Sequence, residues 1–288
     1  MATVAIVVHE HDPIDTRPYV VNLLVPLWRA AGWRVVVVRG TDGYVPADIA
    51  INHVDLTRTP PRYRALLARY PAVVNGGAID IAKRRFSRIR VRRRDGSAGP
   101  VIVKTNANHG GVPEALIRAA AGGWRARLDR AVRHRLPWSI SGYFGNNHYP
   151  RFAGVREVPW PVWFNPRLLV ERFAMPTVDG AFEKRRWLFF GAREATWALR
   201  VSTHIPGDDT ILDRVAAEPA PEPIRAARAL LGLDYGSADF VMFEGAAIPL
   251  DLNRTPASAA WSQPFYAAAI ADIAGALDDA RAGAQPKA

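Results

Sequence analysis

Residues 233–256, LDYGSADFVMFEGAAIPLDLNRTP, decide how the rest of the chain is read. The spacing predicts a hairpin: a strand over 238–243, a turn at Glu244 and Gly245, and a second strand over 246–252 that runs into Asn-Arg-Thr-Pro. Strand side chains alternate, so Asp251 and Asn253 are expected on one face and Leu250 and Leu252 on the other, in a core. A register centred on Gly245 sets Asp239 opposite Asp251. Two carboxylates facing across a ladder repel unless a cation lies between them. The oxygen set Asp239, Asp251, Asn253 suits a hard ion, magnesium first and manganese as the alternative, ahead of zinc. Magnesium keeps waters and holds substrate phosphates, so a nucleotide is its natural companion. Each residue taken singly reads as a solvated strand end. Three oxygen donors on one face of one hairpin favour a site.

The stretch resembles the C-terminal metal-binding hairpin of the ATP-grasp superfamily, in which an Asp-Phe strand precedes an acidic-x-Asn-x-x-Pro strand. The matching residues are Asp239-Phe240 and Asp251-Leu252-Asn253-Arg254-Thr255-Pro256. Many members carry Arg two residues before the first Asp, where this chain has Ser237. The resemblance implies an α/β chain with α+β lobes. A small N-terminal parallel lobe over 1–83 would precede a central lid lobe over 84–170 and a C-terminal lobe over 171–288, the last two sandwiching ATP.

With 288 residues, 49% hydrophobic and 23% charged, the chain can bury a substantial core and is not of disordered type. It has no cysteine, which excludes disulfides, thiolate nucleophiles and Cys-type zinc sites. The apolar run over 4–8 is too short for a signal segment, and no run approaches a bilayer span, so a cytoplasmic location without a membrane partner is the expectation. A net charge of +11 invites a nucleic-acid partner. Outside 83–94 the basic residues are scattered, and no helix-turn-helix, zinc-finger or RNP pattern accompanies them. All but four of the 38 basic residues are arginine, the exceptions being Lys83, Lys104, Lys184 and Lys287. In such a chain a lysine stands out where a compact ammonium is needed. Lys184, in a charged cluster, and Lys287, in the tail, read as incidental.

In chain order, a buried-type strand over 4–8, a helix over 19–31 closed by Gly32 and a strand over 33–38 form a βαβ unit, the start of a parallel sheet. His9 and His11 follow the first strand, where such sheets gather ligands, and could meet a second substrate. Further strands over 49–54 and 72–75 flank a helix over 61–70. Lys83 follows the sheet and reads equally as a basic helix start; in the resembling family a lysine at this crossing reaches the nucleotide phosphates. A strand then delivers Lys104 to a loop containing His109, Gly110 and Gly111. Glycines let backbone N–H groups approach phosphate, and Lys precedes them, unlike a P-loop. The resemblance makes this the lid over ATP. Trp160, Trp163 and Phe164 read as packing residues. Glu171-Arg172-Phe173 resembles the family's adenine hinge, and Asp179, ahead of Glu183, is the candidate for the ribose. Arg186 and Arg200, on a hairpin over 185–202, stand where the family places arginines facing the phosphates. A helix over 223–231 leads back to the hairpin, and one amphipathic helix over 258–279 and a short tail close the chain.

The implied activity is ATP-dependent ligation of a carboxylate to an amine through an acylphosphate, with a small metabolite or peptide as partner and a homo-oligomer allowed. Two alternatives are a small-molecule kinase on the same fold and a catalytically silent basic binding protein.

Overall fold

The computed structural model describes residues 1–96, 99–144, 149–204 and 208–284, so Lys287 and the closing tail lie outside the described residues. Strand β1 (Thr3–Val8) is buried over its last five residues, as a valine-rich run must be when both faces of its sheet are covered. Around it, α1 (Val20–Ala30), β2 (Arg34–Arg39), β3 (Ile49–Asn52), α2 (Pro61–Leu67) and β4 (Val73–Val74) complete a parallel sheet of order β2-β1-β3-β4. Chain direction out of β1 reverses between β2 and β3, which leaves a crevice at the carboxyl ends of β1 and β3.

After α3 (Lys83–Phe86), the chain forms β5 (Val101–Thr105), α4 (Val112–Ala121), α5 (Gly123–Arg135), α6 (Trp138–Ser141), β6 (Arg151–Phe152) and β7 (Leu168–Arg172). Helices α4 and α5 are divided at Gly122 and Gly123, both at positive φ. The three strands pair antiparallel in the order β6-β5-β7 over a separate core that includes Val101, Val103, Phe144 and Val170. Trp160 and Phe164 are 55% and 66% exposed, so they are surface rather than packing residues.

The remaining strands are β8 (Thr177–Val178), β9 (Ala181–Phe190), β10 (Arg193–Val201) and β11 (Ile211–Ala216) and, after α7 (Glu222–Leu231), β12 (Tyr235–Phe243) and β13 (Ala246–Asn253). They build an antiparallel sheet of order β11-β10-β9-β12-β13, with β8 added to β9. The chain closes with α8 (Ala267–Ala274) and α9 (Ala276–Ala284). The single helix expected over 258–279 is therefore replaced by short turns and two helices. Pro264 opens a 3₁₀ turn and Gly275 ends α8, both poor continuations of an α-helix. The N-terminal lobe and this sheet share one core, in which Trp28 of α1 meets Phe190 and donates from Nε1 to the Ala274 carbonyl at 2.9 Å.

Asp239 does oppose Asp251, although a different local geometry sets the pair. The turn is two residues long, so Phe243 pairs with Ala246 and Phe240 with Pro249; a bulge at Leu250 then shifts the register by one. Pro249 has no N–H to give the ladder, and prolines are tolerated on edge strands and at bulges, as here on β13. The bulge also changes a predicted side chain: Leu252 is core, whereas Leu250 lines the cleft beside Asp251.

Candidate active site

A cleft of about 360 Å³ separates the β5 and β7 strands of the central sheet from the β9, β12 and β13 strands of the C-terminal sheet. Five basic side chains, Lys83, Lys104, Arg172, Lys184 and Arg186, line it against two carboxylates, Asp239 and Asp251. Such an imbalance in a partly enclosed space attracts a polyanion.

Lys83 opens α3 with its side chain only 3% exposed; its Nζ lies 2.9 Å from Asp251 Oδ1 and donates to the Ala107 carbonyl at 2.9 Å. Burial disfavours its charge, but Asp251 together with Tyr149 and Glu171 outweighs that and raises its pKa above the usual lysine value. Lys104, pointing from β5, lies 2.8 Å from Glu171 Oε2, so the glutamate of the expected hinge serves as the lysine's counter-ion. Lys184 and Arg186, two residues apart on β9, share a face and converge on Asp239, at 2.8 Å to Oδ2 and 2.9 Å to Oδ1. Burial alone would raise the Asp239 pKa; Arg186 and Lys184 outweigh it and hold the carboxyl well below the usual range. Burial, reinforced by Arg186 and opposed by Asp239, lowers that of Lys184. The ring of Trp261 lies under the Arg186 guanidinium at 5.6 Å.

The lid loop is a left-handed turn. His109, Gly110 and Gly111 have φ of 43°, 67° and 78°, and Gly111 is the N-cap of α4. His109 and Gly110 line the cleft, while Gly111 faces a neighbouring cavity. Buried Asn108 ties this turn to both flanking lobes. Its N–H donates to Thr57 Oγ1 at 2.8 Å, and its Nδ2 to Asn253 Oδ1 at 3.0 Å.

Four candidates sit differently from their expected roles. Arg172 and Phe173 line the cleft, but their N–H groups already donate to the carbonyls of Ile89 and Pro100. Ala174 and Met175, next in the chain, also line the cleft. Asp179 has φ 48° in the exposed tip between β8 and β9, outside the cleft. Arg200 is also outside it. The two-residue turn after Phe190 pairs Arg186 with Trp197 and Arg200 with Glu183, which puts the two arginines on opposite faces of the sheet. Conversely, Lys184 lines the cleft and is not incidental; its i, i+2 spacing to Arg186 on a strand is the signal that marks it. His9 and His11 belong to a separate group with Tyr63, at ring distances of 5.6 and 5.7 Å from one another in turn.

The donor set fits a hard cation in part. Asp239 and Asp251 face each other across the ladder with side chains 25% and 33% exposed toward the cleft, as a magnesium shared with phosphates requires. Asn253 Oδ1 already accepts from Asn108 Nδ2 and Thr255 N–H at 3.0 and 2.9 Å. It would join a metal only by releasing them. Among the described residues, no three His, Cys, Asp or Glu side chains gather as a metal-holding group.

Scans against protein-family models and curated proteins gave no match. Solved structures do match along the whole chain. The ATP-grasp ligase PsnB complexed with minimal precursor is 16% identical, with 99% of each chain covered and a TM-score of 0.55. A second PsnB structure also holds Mg and ADP, at 15% identity, 97% and 96% coverage and a TM-score of 0.54. The D-alanine–D-alanine ligase of Bacillus anthracis is 10% identical over 99% of this chain and 97% of its own, with a TM-score of 0.52. A Chryseobacterium gregarium RiPP-associated ATP-grasp ligase, in complex with ADP and a leader and core peptide, is 9% identical over 97% of each chain, with a TM-score of 0.51. Three sheets in this order, a lysine-bearing strand facing an acidic hairpin and full-length agreement with these enzymes identify the chain as having the ATP-grasp fold.

Proposed function

We propose that the protein is an ATP-dependent ligase that joins a carboxylate to an amine, acting on a small metabolite or a peptide. The observation that carries this reading is the convergence of Lys83, Lys104, Lys184 and Arg186 on one cleft with the opposed pair Asp239 and Asp251. In the reaction a substrate carboxylate oxygen attacks the γ-phosphorus and ADP leaves. The amine then attacks the carbonyl carbon of the acylphosphate, losing a proton as phosphate departs and the amide forms. Magnesium, held by Asp239 and Asp251, would neutralise phosphate charge. Lys83, Lys104, Lys184 and Arg186 supply the remaining positive field, pre-oriented by their present carboxylate partners. The turn at His109 to Gly111, anchored through Asn108, shields the cleft from water, which protects an acylphosphate. No side-chain nucleophile is needed, and the chain has no cysteine.

The solved ligases of the same fold support the reading: PsnB was obtained with a minimal precursor, Mg and ADP, and the Chryseobacterium enzyme with ADP and a leader and core peptide. Calorimetric titration with ATP and magnesium, followed by an ADP-release screen over pooled carboxylates and amines, tests it. ADP, phosphate and a new amide are expected. ADP with a phosphorylated product would make the enzyme a kinase, and absence of Mg-ATP binding would overturn both readings.

A further inference from the structure

The sequence 84–94 places one lysine-free basic run on the surface of the central lobe. In the structure it walls a groove of about 660 Å³ that shares no lining residue with the nucleotide cleft. Six arginines line it: Arg84, Arg88, Arg90, Arg92, Arg93 and Arg94. All six are exposed, no carboxylate lines the groove, and none of the ion pairs among the described residues involves them. Like charges this crowded repel. Burial, followed by the charge of Arg90, lowers the pKa of Arg84. The opposite wall carries the exposed rings of Trp160 and Phe164, 4.8 Å apart, with the Arg93 guanidinium stacked 3.9 Å over Trp160.

The floor distinguishes among polyanions. Residues 89–91 run antiparallel to β7, with Val91 N–H donating to the Val170 carbonyl at 3.0 Å and Arg172 N–H to the Ile89 carbonyl at 2.9 Å. Arg90 bridges Glu171 between these bonds. In that pattern the N–H and C=O of Arg90 point away from β7 and, among the described residues, no strand pairs with them; at Arg92, the next outward position, both groups are already bonded to Asp95, so the open edge is that of Arg90. An exposed edge is a template for another strand. A single phosphate finds no enclosing pocket among exposed guanidiniums, and a nucleic acid has no backbone donors and acceptors at strand spacing. An extended acidic peptide matches the line of charge, the main-chain edge and the aromatic wall together.

We propose that this groove is a docking surface for an extended acidic peptide segment, distinct from the cleft and independent of nucleotide. The proposal does not rest on the ligase reading, because it predicts binding without ATP.

Fluorescence anisotropy of the full chain with a labelled peptide of about ten residues alternating Glu and Thr tests it. An oligothymidylate of similar length and the same peptide with alternate backbone nitrogens methylated serve as comparators. Binding of the plain peptide, weakened by salt, is expected. The Arg92→Glu/Arg93→Glu variant should weaken it about tenfold or more, and Arg29→Glu/Arg34→Glu, on an exposed face elsewhere, less than about twofold. Backbone methylation should weaken it about tenfold, since it blocks strand pairing and leaves the charge. Thermal transitions of the variants verify folding. No peptide binding, equal binding of the methylated peptide, or tighter binding of the oligothymidylate would each overturn the assignment.

Discussion

Asp251 and Arg254 are three residues apart at the end of β13, yet they serve two different kinds of charge cluster. Asp251 faces the open cleft, one-third exposed, with Lys83 as its partner. Arg254 is 1% exposed and bonds the carbonyls of Val54, Leu56 and Ala78 and the hydroxyl of Thr59, so it rivets the hairpin to the loop after β3. Burial lowers its pKa to about 10, with Asp55, Glu114 and Asp80 opposing the shift. Next to it Thr255 Oγ1 donates to Asp55 Oδ1 at 2.6 Å, and the Tyr19 hydroxyl donates to Asp55 Oδ2 at 2.8 Å and contacts Asp12 at 3.1 Å. The cleft cluster pairs its charges beside empty space; in the junction, among the described residues, Arg17 and Asp55 form the ion pair, at 2.8 Å, and Arg254 is met by carbonyls and a hydroxyl. Pairing beside a cleft leaves cations that a ligand can take over; pairing in a sealed junction is structural, because nothing else can reach it.

The sharpest break in this contrast is Arg254→Ala, which withdraws the guanidinium from four acceptors at once and leaves a cavity. A loss of roughly 4–5 kcal/mol is expected, against total stabilities of about 5–15 kcal/mol for proteins generally. Urea denaturation would report it, and a loss under about 1 kcal/mol would mean that the junction is wet.

Lys104→Ala comes next, and it mixes the two kinds of role. Glu171 is 2% exposed at its side chain and loses its counter-ion, so roughly 2–3 kcal/mol of stability should go along with Mg-ATP binding. Lys104→Met combined with Glu171→Gln removes both charges and should recover most of the stability while leaving nucleotide affinity low. If calorimetry showed the double variant binding Mg-ATP normally, Lys104 would belong with Arg254.

These clusters also differ in how far they can be read from sequence. The acidic hairpin is legible because its residues lie close in the chain and strand alternation assigns their faces. Asp239 opposite Asp251 came out correctly even though the reading had no bulge at Leu250, where Pro249 interrupts the ladder. Lys184 was hidden by its charged neighbours, although i, i+2 spacing to Arg186 carries the information. The junction of Asp12, Tyr19, Asp55 and Thr255 has no local signature at all: its members come from loops far apart in the chain, and only the packed fold brings them together. Asn108 escaped for the same reason, since its partners are Thr57 and Asn253.

The junction makes its own prediction with pH. Burial, followed by repulsion from Asp55, raises the Asp12 pKa from 3.8 to about 6, with Arg17 and Tyr19 opposing. The folded state therefore holds a proton between those values that the unfolded chain has released, and stability from this group falls as pH rises from about 4 to about 6. Asp12→Asn abolishes that dependence. It should stabilise the protein by about 1–2 kcal/mol at pH 7.5 and by close to nothing at pH 4. Denaturation of both proteins at the two pH values measures it, and a variant less stable at pH 7.5 would show Asp12 bound mainly through its charge.

The smallest effect expected is that of Arg200→Ala, and its value lies in the contrast with Arg186. Both arginines belong to one hairpin, and by resemblance both were candidates for the phosphates. The two-residue turn couples even-numbered positions on β9 to odd-numbered ones on β10, so the face that carries Lys184 and Arg186 continues as Leu199 and Trp197. Arg200 falls on the reverse face, exposed and flanked across the ladders by Glu183 and Asp213. Exposed cross-strand charges of this kind contribute about 0.5 kcal/mol or less. Arg200→Ala should leave Mg-ATP affinity within about twofold, whereas Arg186→Ala should weaken it about tenfold or more by withdrawing a guanidinium from the cleft. Calorimetry on the two variants decides the matter, and an equal loss in both would require a hairpin register one residue away from the one described, with Arg200 facing the nucleotide.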